Sequence, residues 1–228
     1  MLALKQALSL VSTRKLGGAW SPDDESSLVA WYQNQVGITL NGSDVSQWSD
    51  SSTNSYDLIQ ADATEQPAYS GGVLTFVGAD KTNLQTSGTQ ISLPDDFTLG
   101  LRINTSTTNG AFLADNTTAN EYFKYGVDSS RIQFRIAGSV TTNLILDSGT
   151  FGDDYIVITR VSDVLTLFKN GVKQTTSSPT IAGTCLIDTI GLRRTNQNAF
   201  DGTISEVQIY NSSSSDLTAN INDRLAGL

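Results

Sequence analysis

The chain has 228 residues, with 14 Lys+Arg against 23 Asp+Glu, a formal net charge of −9 and no histidine. That size suits one domain with a sizeable core, and its scattered cations speak against a nucleic-acid partner, because a phosphate backbone needs a clustered basic patch. Without histidine there is no Ser-His-Asp or Cys-His nucleophile and no histidine-ligated zinc, and the single Cys185 forbids an internal disulfide.

Hydrophobic residues make up 38% of the chain and charged residues only 16%, which is enough apolar material for a packed interior. No apolar run is long enough to cross a bilayer, so membrane insertion is not expected. The opening Met1–Val11 is interrupted by Lys5 and Gln6, and no small-residue cleavage site precedes Arg14-Lys15, so it reads as retained. Within it Leu4, Leu8 and Val11 fall at i, i+4, i+7, one stripe of a helix that ends at Gly17-Gly18. So short a helix is marginal alone. Its stripe either packs on its own domain or docks on another subunit or assembly. Residues 1–22 are read as this arm and 23–228 as the body. At the junction, Ser21-Pro22-Asp23-Asp24-Glu25 predicts a helical turn capped by Ser21.

From Leu28 onward the punctuation is β. Leu28–Tyr32, Val73–Val77 and Phe97–Ile103 read as short apolar strands. Arg131–Ile136 alternates cleanly, with Ile132, Phe134 and Ile136 on one face and Arg131, Gln133 and Arg135 on a face that is either wet or a binding surface. Tyr155–Arg160 and Val164–Lys169 flank Val161-Ser162-Asp163, and the second runs into Asn170-Gly171, so two successive hairpins are expected. Gly202–Tyr210 is the last strand; its step from Ile204 to Val207 breaks alternation and calls for a bulge or burial on both faces. Ser215-Asp216 caps a closing helix carrying Leu217, Ile221 and Leu225. The whole predicts an all-β, antiparallel two-sheet jelly-roll sandwich with short N-terminal and C-terminal helices.

Several segments carry a resemblance. Val45–Ser52, Leu58, Gln60, Gln66–Tyr69 and Val73–Gly78 resemble the opening of concanavalin A-like, laminin G-like jelly rolls, and Phe97–Leu99, Leu167–Gly171 and Phe200–Asn211 agree with the later strands. The resemblance covers residues 28–228 and implies the fold. Such folds serve sugar binding, adhesion, hydrolysis or structural packing. The arm joined to one such domain also resembles virion proteins of tailed bacteriophages, which implies a virion-surface location and partners among capsid or tail proteins and sister copies.

Hydrolases of this fold present paired carboxylates on one strand, whereas Glu25, Glu65, Glu121 and Glu206 are far apart in sequence, so no enzyme is expected. Asp115, Asn116 and Asp201 are eligible calcium donors, but no Asp-rich loop of defined spacing appears and neither metal nor cofactor is assigned. Tyr122, Phe123 and Tyr125 near Asn116 and Asn120 either offer a stacking platform with amide donors or sit in the core as aromatics on strands mostly do, and Arg193, Arg194, Asn196 and Asn198 form a second polar loop or simply face solvent; the platform and the loop both suit a host-surface glycan. Two functions follow: a capsid decoration or surface-displayed virion protein held by Leu4, Leu8 and Val11, or a carbohydrate-binding adhesin or tail-fibre domain. Trp31, Trp48 and Cys185 are expected in the core, the thiol inert.

Overall fold

A computed structural model describes residues 19–105, 107–117, 121–136, 141–193 and 197–228. The expected leading helix, with Leu4, Leu8 and Val11, lies outside the described residues. The strands are β1 (Leu28–Tyr32), β2 (Ile38–Asn41), β3 (Asp44–Trp48), β4 (Leu58–Ile59), β5 (Ala68–Ser70), β6 (Val73–Phe76), β7 (Leu84–Thr86), β8 (Ile91–Leu93), β9 (Phe97–Thr105), β10 (Ala111–Ala114), β11 (Tyr122–Tyr125), β12 (Arg131–Arg135), β13 (Thr142–Ile145), β14 (Asp153–Val161), β15 (Val164–Lys169), β16 (Val172–Lys173), β17 (Cys185–Ile187), β18 (Thr189–Ile190) and β19 (Gly202–Tyr210), followed by helix α1 (Ser215–Ala226).

All pairings between these strands are antiparallel. One layer runs β16-β15-β14-β9-β19, with β1 and β6 sharing the far edge of β19. The other runs β4-β7-β18-β10-β11-β12-β13. Strand β3 pairs with β5 beside the first layer and with β4 of the second, so the backbone ladder turns the corner between them. Between the layers the inward side chains of each strand form one core. Phe97 from the first layer meets Phe123 and Phe134 of the second edge-on, with centroids 6.2 and 6.3 Å apart, while Phe123 and Phe134 stack at 4.2 Å. Trp31, Trp48 and Cys185 are all buried, as expected.

Turn chemistry lands where the sequence put it. Ser162 (φ 49°) and Asp163 (φ 67°) link β14 to β15, and Asn170 (φ 50°) and Gly171 (φ 77°) link β15 to β16, each pair left-handed as a two-residue hairpin requires. In β19 the register against β9 shifts between Ile204 and Glu206. The extra residue lets Ile204, Val207 and Ile209 all enter the core while Glu206, Gln208 and Tyr210 face the other way. Both alternatives read from the sequence, a bulge and burial on both faces, are therefore realised.

That other face is covered by α1. Leu217, Ile221 and Leu225 pack with Val157 and Tyr210, and Trp20 and Leu28 join them. The helix is capped one residue earlier than expected: Ser214 Oγ accepts the Leu217 N–H at 3.0 Å. At the start of the body, Ser21 N-caps a single 3₁₀ turn, Pro22–Asp24. Trp20 donates from Nε1 to Glu25 Oε1 at 2.9 Å and packs beside α1.

A chain of polar side chains ties helix to sheet. Glu206, with no exposed surface, accepts from Trp31 Nε1 (3.1 Å), the Asn34 backbone N–H (3.1 Å), Gln208 Nε2 (2.7 Å) and both Nε and Nη2 of Arg224 in α1 (2.5 and 3.0 Å). The Arg224 guanidinium also lies over the Trp31 ring, 4.9 Å from its centroid. Every oxygen of the buried carboxylate is thus answered by donors, which offsets its desolvation.

The helix approaches β9 at Gly100, where an added Cβ would stand 2.4 Å from Ile221 Cγ2. Gly100→Ala is expected to cost about 1–3 kcal/mol in denaturant unfolding through overpacking. Combining it with Ile221→Ala should cost less than the two single changes summed, since the second relieves the clash; strict additivity would show that the helix does not bear on Gly100.

Candidate functional site

The outer face of the second layer carries the side chains that sequence reading singled out. In β11 alternation sends Phe123 and Tyr125 into the core, both fully buried, and turns Tyr122 and Lys124 outward. The expected three-ring platform is corrected: Phe123 and Tyr125 belong to the interior, and Tyr125's hydroxyl pKa is pushed up by burial. In β12 the same period places Arg131, Gln133 and Arg135 outward, with Arg135 directly opposite Tyr122 and Gln133 opposite Lys124. Gln133 Nε2 donates to Asn143 Oδ1 of β13 at 3.3 Å.

Arg193 arrives from the segment after β18. It exchanges backbone hydrogen bonds with Gln197 at 3.2 Å, donates from Nη1 to Asn198 Oδ1 at 2.8 Å, and lays its guanidinium over the Tyr122 ring at 4.7 Å from the centroid. Tyr122 is only 5% exposed, and its hydroxyl shares a 3.0 Å hydrogen bond with Thr141 Oγ1. The face of the ring is therefore occupied by a guanidinium, and Tyr122 acts as the bed on which Arg193 rests. Stacking of a sugar ring on it, the expected role, is corrected accordingly. Lys124 Nζ stands 5.7 Å from the same centroid and donates to Asn109 Oδ1.

Two sequence-distant picks, Tyr122 and Arg193, thus meet. Asn116 goes elsewhere: its backbone N–H donates to Asp188 Oδ1 at 2.7 Å and its Nδ2 reaches Gln85 Oε1 at 3.5 Å, on the β7 and β18 side of β10. Asn120, Arg194 and Asn196 lie outside the described residues. Of the eligible calcium donors, Asp115 accepts the Thr117 N–H at 2.7 Å near Asp188, whereas Asp201 is remote and accepts the Gly78 N–H at 2.6 Å. Among the described residues no group of three or more acidic, cysteine or histidine side chains gathers to hold a metal.

Sequence reading left the face of Arg131, Gln133 and Arg135 open as a binding surface without joining it to Tyr122 and Arg193, and it missed Lys124. The signal was present in the alternation of both strands, but scattered cations do not reveal that β11, β12 and the Arg193 loop bring four of them to one face. Charge sets the character of that face. Arg131 is answered by Asp128 at 2.6 Å. Lys124's pKa is lowered by burial and by the charge of Arg193, and Arg193's is lowered chiefly by burial, with Arg135 adding to the effect. Elsewhere, a polar groove of about 480 Å³ between β9 and the end of α1 is lined by Asn34, Arg102, Asn104, Asp153 and Thr203; its Arg102 is paired with Asp153 at 2.6 Å.

Cys185, 1% exposed, has its thiol pKa pushed up by burial and by the nearby charge of Glu121. It should resist thiol reagents at neutral pH in the native protein and react fully on denaturation; rapid native-state labelling would contradict that burial.

Residues 78–218 match the family described as the Concanavalin A-like lectin/glucanases superfamily. No curated protein matches the chain in sequence. Among solved structures, Trypanosoma rangeli sialidase in complex with 2,3-difluorosialic acid is 14% identical, with a TM-score of 0.54 over 96% of this chain and 35% of that chain. Domain 4 of AbnA, a GH43 extracellular arabinanase from Geobacillus stearothermophilus, in complex with arabinotriose, is 16% identical, with a TM-score of 0.55 over 88% of this chain and 98% of that one. The chain spans about a third of the sialidase chains it matches, and at these identities the likeness is one of fold. With the family matched over more than half its length, the chain belongs to the concanavalin A-like lectin/glucanase superfamily.

Proposed function

We propose that this chain is a non-enzymatic carbohydrate-binding module whose ligand meets the outer face of the second layer at Arg193, Arg135 and their neighbours. The observation that carries this reading is the convergence of Arg193 on Tyr122, which holds a guanidinium fork in fixed orientation beside the amides Gln133, Asn143 and Asn198. Directional donors on a rigid sheet are what sugar hydroxyls need. The likeness to an arabinanase domain solved with arabinotriose supports the same class of ligand. A binding role also suits the carboxylates: Glu206 is neutralised by Arg224 and Asp154 by Lys169 at 2.7 Å, so both serve as supports. Arg193→Ala should lower glycan affinity about tenfold with the melting temperature little changed, as read by titration calorimetry; unaltered affinity would remove Arg193 from the site.

A second reading concerns where such a module is used. The stripe of Leu4, Leu8 and Val11 fits attachment to a larger particle, a phage virion surface with capsid or tail proteins and sister copies as partners. Trp20 packs beside α1 on the first layer, away from the Arg193 face, which suits anchored display. Deletion of residues 1–16 should yield a folded domain that binds glycan normally but no longer incorporates into particles; undiminished incorporation would dispose of the attachment role.

A further inference from the structure

We infer that the ligand of the Arg193 face is a carboxylated glycan, its acid group held by the guanidinium groups of Arg135 and Arg193 with Lys124 behind them. This rests on the glycan-binding reading and gives it a substrate class.

The chain as a whole is acidic, at −9, and holds 14 Lys and Arg. Four of those, Lys124, Arg131, Arg135 and Arg193, nonetheless stand on one sheet face, three of them about Tyr122 and Arg131 farther along β12. Gathering like charges is unfavourable unless an opposite charge answers them. Asp128 answers Arg131. Among the described residues no carboxylate pairs with Arg135, and its Nε is buried without an acceptor. A buried donor left in that state costs roughly 1–3 kcal/mol, a cost that an incoming oxygen recovers. Burial is the main cause of the lowered pKa values of Lys124 and Arg193; the charge of Arg193 on the first and of Arg135 on the second adds to it.

The donors also choose among anions. A guanidinium offers a planar fork that matches the two oxygens of a carboxylate, whereas an ammonium acts as a point charge. Here two forks lie on adjacent elements, one opposite Tyr122 and one above it, with the ammonium of Lys124 tethered to Asn109 at the rear. A long polyanion would be repelled by the rest of the surface. One acidic sugar set among hydroxyl-bearing neighbours fits, because Gln133, Asn143 and Asn198 supply the neutral hydrogen bonds beside it.

The test is a glycan array in which uronate- and sialate-bearing saccharides stand beside their neutral and sulfated counterparts, probed with the full chain at low and at physiological salt, with soluble polyglutamate as competitor. Carboxylated glycans should be retained and neutral ones not, with binding weakened by salt. Arg135→Gln should lower retention roughly tenfold and Arg135→Lys restore part of it, while Arg102→Gln, in the groove on the first layer, has little effect; the melting temperature of each variant reports its fold. Equal retention of neutral glycans, preference for sulfated ones, full competition by polyglutamate, or an Arg135→Gln variant that binds normally would each overturn the acidic specificity while leaving a sugar-binding module in place. Retention of no glycan at all would overturn the sugar-binding reading and this inference with it.

Discussion

A carboxylate with no exposed surface, Glu206, is the point on which the arrangement turns. Left alone it would be strongly unfavourable in that position. Five donors from three parts of the chain, Trp31 in the first strand with Asn34 just after it, Gln208 on its own strand and Arg224 in the helix, make it tenable. The bulge in β19 is what aims it outward, and the pairing with Arg224 is what fixes α1 across β9 and β14. Because removal of either partner strands a buried charge, the ion pair specifies the docking of the helix even if apolar residues could supply comparable stability.

With one outer surface covered by the helix, the outer surface of the other layer is left to carry polar side chains. There the division within β11 is decisive. Phe123 and Tyr125 build the interior, and the intervening positions put Tyr122 and Lys124 on the opposite face of the sheet, where both are nearly covered. The rigidity of a recognition surface on such a sheet comes from the packing beneath it: the Phe123 to Phe134 stack lies directly under the Tyr122 and Arg135 pair.

Much of this was legible in the residues. The two hairpins after β14 and β15 follow from turn pairs that tolerate positive φ, and the bulge follows from the spacing of Ile204 and Val207, because both signals are local. Ala111–Ala114 escaped notice, being four consecutive buried residues with no alternation and too short for a period to register. The binding face was legible only in halves. Tyr122 and Arg193 could be named separately, but which face of β11 a ring occupies depends on its register with β10 and β12, and the companionship of Arg135, Lys124 and Arg193 depends on pairings between distant strands. Aromatic residues therefore read as a platform when two of the three were core and the third was roofed by a guanidinium.

The strand shared between the layers, β3, has a mechanical meaning. A sandwich whose backbone ladder is continuous around one margin is bound there like the spine of a book. The opposite margin, where β13 and β16 are the terminal strands, is fastened by side chains instead: Ser177 Oγ accepts the Ile145 N–H at 2.7 Å, Gln174 Oε1 accepts the Asp147 N–H at 2.9 Å, and Asp147 accepts from Thr175 and Thr176. The two margins thus differ in kind: at the Trp48 end the layers are sewn together by backbone, and at the other they are held by a clasp of side chains that single substitutions at Asp147 or Ser177 would unfasten.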